Sequence, residues 1–325
     1  MKNSAKKFMC SVIAATAAFP LVACSTETPE SAFDSPLPWH VSDASYEKLD
    51  YTVAVYNTEN GAADDKRVQI GEGVLSFTLE EGKQNGYTLL GMDFSVTYYS
   101  ADAAGKDKGL TDTITSSVYF EPNSLTASSM QKDVNLADRE DETNLSYSIS
   151  ADYFNAHEAT FLYTKQKDAA KQTLSLPRNA VRDNEMLFFL ARAQAIGAGS
   201  GSNFKMVNLY DSFIAGKVQE YRMGVSGVAE RKTVIGDFVK DFGIEQVTEN
   251  DKTAYPVNCV SVSIAISGEK HGPSYSVLYA TGPFVQGEQK HNKIPISIEY
   301  SSYIGANPYR LTTYTLSACS FTKAE

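Results

Sequence analysis

The chain has 325 residues, 42% hydrophobic and 21% charged, which is enough for one large domain or two small ones with a sizeable core. Its formal net charge of −10, from 39 acidic against 29 basic side chains, argues against a nucleic-acid partner held through phosphates. The four histidines, His40, His157, His271 and His291, are scattered with no pair at ligand spacing and no available cysteine cluster, so neither a metal site nor a cofactor is expected.

The amino terminus carries an address. Lys2, Lys6 and Lys7 form a basic segment, and residues 8–22 are apolar but fall short of the roughly 20 residues that a membrane span needs. Leu21-Val22-Ala23-Cys24, followed by Ser25, closes the run. This stretch resembles the lipobox of bacterial lipoproteins. The resemblance implies that residues 1–23 are removed and that Cys24 is lipidated and acylated. The chain is then held at an envelope membrane on the extracytoplasmic side. Losing three lysines and no acid makes the mature chain more acidic still, so anionic headgroups repel it and the anchor alone supplies attachment. Each buried methylene of the anchor contributes about 0.8 kcal/mol, and two or more chains hold firmly.

Residues 24–42, with Pro29, Pro36 and Pro38 among Ser, Thr and acidic residues, read as a flexible tether. Trp39, the only tryptophan, is expected at the core edge. Two β-rich halves, 43–182 and 183–325, follow; one continuous domain over 43–325 is the alternative. From Tyr46 the apolar residues recur with period two: Leu49, Tyr51, Val53 and Val55; Leu75, Phe77 and Leu79; Met92, Phe94, Val96 and Tyr98; Leu145, Tyr147 and Ile149. The alternate positions are mostly polar, as in antiparallel sheets wet on one side. Segments 57–65 and 100–109 read as turns, and the charged run 133–144 as a solvated loop.

One segment breaks the period. Asp183 is placed to cap a helix over 183–197, with Met186, Phe189, Leu190, Ala193 and Ile196 on its apolar face and Gly197 at its stop. The glycine run 197–201 follows this helix instead of preceding one, so it reads as a linker and not a phosphate loop. Strands return at 206–213, 217–225, 257–266, 275–279, 294–300 and 311–318. Pro295 lies on the outward face of its strand, and the missing N–H places that strand at an edge or a bulge.

With Cys10 in the signal and Cys24 lipidated, Cys259 and Cys319 remain, and two thiols in an exported chain invite one disulfide. Each falls in phase with the polar residues of its strand, as a bridge on the outer face would require. Two free thiols are the alternative.

The acid-led helix ending at Arg192, the later Asp211, Gly216 and Lys217 before the strand 218–225, Gly236-Asp237-Phe238, and Ile294-Pro295-Ile296-Ser297-Ile298-Glu299 before Leu316 form an ordered pattern. It resembles a family of exported β-rich bacterial proteins known only as a domain of unknown function. The resemblance covers about residues 183–318. It implies a curved antiparallel sheet or half-barrel with a helix against it, and carries no catalytic residues.

The fold expected is therefore mainly β: a curved antiparallel sheet, half-barrel or sandwich-like, with one substantial helix packed on it. No catalytic constellation is readable, since Gly224-Val225-Ser226-Gly227 has the wrong spacing for a nucleophile elbow and no following helix. The surplus is aromatic: 19 Tyr and 16 Phe against one Trp. Adjacent Tyr98 and Tyr99 must point to opposite faces. Three functions follow as expectations. The first is a carrier for an apolar or amphiphilic ligand in a helix-covered concavity. The second is a surface module binding glycan or another envelope protein through tyrosines, and the third is a hydrolase with two close carboxylates.

Overall fold

The computed structural model describes residues 45–57, 67–99, 108–137, 144–155, 158–165, 168–175, 182–193, 201–208, 217–225, 231–249, 252–269, 273–304 and 307–322. Residues 1–44, which carry the expected signal, Cys24 and the expected tether with Trp39 and His40, lie outside them, as do His157, His271, Asp211, Gly216 and Gly197 and Gly199 of the expected linker.

The protein is mainly β, as its period-two patterning predicts. Eight strands run as a meander: β1 (Tyr46–Asn57), β2 (Val68–Gln84), β3 (Tyr87–Tyr99), β4 (Lys108–Glu121), β5 (Thr126–Ala137), β6 (Asn144–Asn155), β7 (Glu158–Lys165) and β8 (Asp168–Ser175). A 3-10 turn (Asn184–Met186) then leads into the helix α1 (Leu187–Ala193). The remaining strands are β9 (Gly201–Asn208), β10 (Lys217–Val225), β11 (Arg231–Ile235), β12 (Val247–Glu249), β13 (Lys252–Ile266), β14 (Ser274–Ala280), β15 (Phe284–Gln286), β16 (Gln289–His291), β17 (Pro295–Ile304) and β18 (Asn307–Thr322). A second 3-10 segment, Asp237–Phe242, packs on β13 and β18.

The long sheet is antiparallel throughout, in the order β8-β7-β6-β5-β4-β3-β2-β1-β18-β17-β14-β13-β10-β9, with β11 and β12 also paired to β13. The β1–β18 pairing joins both halves of the chain into one sheet. Its two ends, β8 and β9, are consecutive strands in the chain, and α1 lies between them. The connection from one open edge to the other therefore carries the helix across the sheet face. Met186, Leu187, Phe189 and Leu190 share one cluster with Ile149 of β6 and with Met206 of β9. Laid flat at roughly 4.8 Å per strand, β6 and β9 would stand about 50 Å apart, so the sheet curls around the helix. A single curled sheet, not a two-sheet sandwich, is the architecture. A second cluster, built on Leu49, Tyr51, Val53, Val96, Phe242 and Ile296, adjoins the first through Phe77 and Tyr314.

Gly73 of β2 permits the tight coiling. A Cβ there would come 1.9 Å from the Ser95 carbonyl oxygen on β3. Gly73→Ala should consequently cost about 1–3 kcal/mol by overpacking, readable as a lower urea midpoint with an unchanged slope; an unchanged midpoint would show that the strands do not need this approach.

Four expectations change. The helix is shorter than 183–197: seven α residues after a 3-10 turn, with 194–200 outside the described residues. It also has no wet face in its middle, since Leu187, Ala191 and Arg192 are buried along with Met186, Phe189 and Leu190, because the sheet wraps it from both sides. Pro295 is buried on an internal strand between β14 and β18, not at an edge. Of the two expected settings, edge or bulge, the bulge is present: the register shift at Leu278/Tyr279 skips Ile296, and Pro295, first residue of β17, faces inward instead of outward. Finally, Asp133 to Ala137 belong to β5, where Asp133 accepts from the Ser148 hydroxyl of β6 instead of sitting in a loop.

Candidate ligand-binding site

The helix is fastened at both ends. At its start the Asp183 carboxylate, 1% exposed, accepts from the Glu185 backbone N–H at 2.8 Å and from the Tyr153 hydroxyl. This is the cap that the sequence predicts. Burial, with the neighbouring Glu185 charge, pushes the Asp183 carboxyl up to about 7. Tyr221 Oη donates to Asn184 Oδ1 at 2.6 Å. Glu185 accepts from Lys132 Nζ at 2.8 Å and from Ser116 Oγ at 3.0 Å. At the other end Arg192 forks onto Glu47 of β1, with Nη2 to Oε2 at 3.0 Å, and donates from Nε to the Asn292 carbonyl at 3.0 Å. Both side chains of that pair are only 4% exposed. Tyr279 Oη adds a bond to the Phe188 carbonyl at 3.3 Å.

Between these fastenings the helix roofs a pocket of about 190 Å³ on the concave face. Leu75 and Phe77 of β2, Met92 and Phe94 of β3 and Phe188 of α1 form its apolar wall. Tyr275, Tyr300 and Tyr314, from β14, β17 and β18, close the opposite side. The rings are mutually packed: Phe77–Phe188 centroids lie 5.8 Å apart, Phe188–Tyr275 5.1 Å and Tyr275–Tyr300 4.9 Å. Burial pushes the hydroxyls of Tyr275 and Tyr314 up, so both stay neutral. Lys132 and Glu185 supply the pocket's charge as an ion pair. A narrower recess of about 30 Å³, bounded by Glu47, Leu79 and Arg192, adjoins it through Phe77 and Phe188. Such a cavity suits an apolar body whose polar end meets Lys132, Glu185 and Asn184.

The carboxylates near the pocket are engaged. Glu47 is held by Arg192, Glu185 by Lys132 and Ser116, and Asp183 by the helix cap and Tyr153. Among the described residues no group of three or more His, Cys, Asp or Glu side chains could hold a metal. His291 is buried and stacks on Phe321 at 3.6 Å.

The expected Cys259–Cys319 disulfide is not formed: both are free thiols. They lie on β13 and β18 with β14 and β17 between them. That is three strand spacings, or roughly 14 Å, against a limit of about 7 Å between the Cα atoms of a bridge. Neither thiol is on an outer, wet face. Cys259 does oppose the face of Val260, Val262 and Ile264, but there that face is also covered and Cys259 is 0% exposed. On β18 a bulge changes the phase: Leu316 pairs with Tyr51, yet Cys319 pairs with Leu49, both partners facing the core. Burial, with Glu47 and Asp50 nearby, pushes the Cys319 thiol up to about 12. Alkylation of the unreduced, denatured chain should therefore add labels at both cysteines, and almost none to the native protein at pH 8; an unlabelled denatured pair would restore the bridge.

The Glu47–Arg192 pair, Lys132–Glu185 and the three pocket tyrosines were not singled out in the sequence. A signal existed for the first: Glu47 falls in phase with Leu49, Tyr51, Val53 and Val55, and an acid on the apolar face of a strand requires a buried cation. Nothing in the sequence brings Tyr275, Tyr300 and Tyr314 together; the β14–β17–β18 order does.

Fold and site together define a curled, single-sheet β protein whose edge-to-edge helix roofs an aromatic pocket. No family model, no curated protein and no solved structure matches the chain, so its functional assignment rests on this geometry.

Proposed function

We propose that this protein is a lipid-anchored carrier of the bacterial cell envelope, tethered through Cys24, which holds an apolar or amphiphilic ligand under α1. The observation that carries the reading is the aromatic and aliphatic pocket of about 190 Å³ in which one ion pair, Lys132–Glu185, supplies the only charges among the described lining residues. A balanced pair neither attracts nor rejects a headgroup by net charge, so selection rests on the apolar body. The proposed anchor at Cys24 fits the same role, which calls for no catalytic residue and no cofactor.

The test is mass spectrometry of organic extracts from the chain beginning after Cys24, purified beside an unrelated protein. A stoichiometric lipid that disappears in Phe77→Arg supports the carrier. An empty protein that also takes up no fatty acid or phospholipid from added micelles refutes it. The anchor is tested separately, since Cys24→Ala should move the protein to the soluble fraction.

A further inference from the structure

The sheet has a second recess, on the face opposite the helix. Across β1, β2, β3 and β18 the register sets Thr52 beside Val74 and Thr315, and Glu72 beside Thr97. These positions alternate with the buried Val53, Leu75 and Val96, so they share the outer face. They line a groove of about 510 Å³. A register shift at Val55/Tyr56 sets Tyr56 opposite Gln69 at its end. There Gln69 Nε2 donates to Tyr99 Oη at 3.2 Å, and Tyr99 Oη donates to Glu72 Oε2 at 2.9 Å. Tyr99 thus stands outside while Tyr98 is 7% exposed in the core, the opposition that adjacent strand residues require.

The chemistry of this groove differs from that of the concave pocket. Its floor carries four threonine hydroxyls, those of Thr52, Thr97, Thr313 and Thr315, and its end carries one amide, one carboxylate and two tyrosine rings. Val74, 59% exposed, adds an apolar patch between them. Among the described residues, no lysine or arginine lines it. Hydroxyl, amide and carboxylate groups match the donors and acceptors of a polyol, and tyrosine rings and a valine match the C–H faces of sugar rings. A negative groove on a chain of net charge −10 repels polyanions. We propose that this groove binds an uncharged glycan chain, with Tyr56 and Tyr99 as ring platforms and Glu72 and Gln69 pairing with sugar hydroxyls. The site is independent of the concave pocket and would let the anchored protein hold a neutral envelope polysaccharide.

The experiment presents the full-length protein in detergent micelles to a panel of neutral gluco-, xylo-, manno-, galacto- and N-acetylglucosamine oligosaccharides, beside uronic-acid and sulfated counterparts. Saturable binding confined to neutral members is expected, weakened at least tenfold by Tyr99→Ala and by Glu72→Gln. Phe188→Ala, in the concave pocket, should leave it unchanged. Melting curves accompany each variant, and the near-isosteric Glu72→Gln decides if Tyr99→Ala does not fold. The proposal is overturned if no neutral member binds, if anionic members bind better, or if binding survives in a folded Glu72→Gln variant.

Discussion

Arg192→Met is expected to lower the unfolding free energy by about 3–5 kcal/mol, the cost of leaving one member of a buried ion pair without its partner. Glu47 and Arg192 are both almost wholly buried, and they bond through two contacts with a third bond from Arg192 to the Asn292 carbonyl. Removing the guanidinium strands the Glu47 charge among Leu49, Tyr51 and Phe321 on the core face. It also unfastens the carboxy-terminal end of α1 from the sheet. The double substitution Glu47→Met with Arg192→Met removes the charge as well as its partner, and should recover most of the loss, because an apolar pair of similar volume is often as stable as the ion pair it replaces. The carbonyl of Asn292 keeps a residual cost of about 1–3 kcal/mol if water does not reach it. Urea unfolding of the two single variants and the double variant gives the coupling energy. Additive losses, with no recovery in the double variant, would mean that the two charges are not coupled.

Asp183→Asn should change the pH dependence of stability. The folded Asp183 carboxyl is pushed from 3.8 up to about 7. Between those values the native state keeps a proton that the unfolded state has released, so stability falls as pH rises from about 4 to about 7. The span corresponds to about 4 kcal/mol at ~1.4 kcal/mol per pH unit. Asparagine cannot ionise, yet its carbonyl can still accept from the Glu185 N–H, and it is as good a cap as aspartate. The variant should therefore gain stability relative to the parent as pH rises. The gap should be largest at pH 8 and smallest near pH 4, measured as urea midpoints in matched buffers. Parallel pH profiles would show that Asp183 ionises in the folded state as it does in the unfolded one. The same cap aligns Glu185 for Lys132 and Ser116 at the pocket wall, so ligand affinity should follow the same pH trend if the carrier reading holds.

The inner faces of β1, β2 and β3 are legible from alternation alone. Leu49, Tyr51, Val53, Val55, Leu75 and Val96 are buried as the period requires. A local rule is sufficient there, because a strand with one wet face must place its apolar residues on the other. The helix cap is equally local, since Asp183 bonds to an N–H two residues away. Each failure came from a nonlocal cause. Phase along its strand puts Cys319 with the polar residues, but a bulge fixed by the pairing of β18 with β1 inverts that phase. Cys259 does lie on the face opposite Val260, as its phase requires, but cover from elsewhere in the chain buries that face too. Pro295 does sit at a bulge, as its missing donor requires, but the register shift at Leu278/Tyr279 pairs it with buried Tyr279 and so turns it inward from the expected outer face.

By itself the sequence determined what depends on neighbours along the chain: strand-rich antiparallel character, the inner faces of the meander, the cap of the single described α-helix, and the opposed faces of Tyr98 and Tyr99. Only the tertiary structure decided what the strand order brings together. The curl around α1, the Glu47–Arg192 pair 145 residues apart in the chain, and the pocket walled by β2 and β3 on one side and β14, β17 and β18 on the other all belong to that class. The physical reason is that period and capping act over a few residues, whereas pairing β1 with β18 and carrying a helix between the sheet's two open edges set contacts across the whole chain.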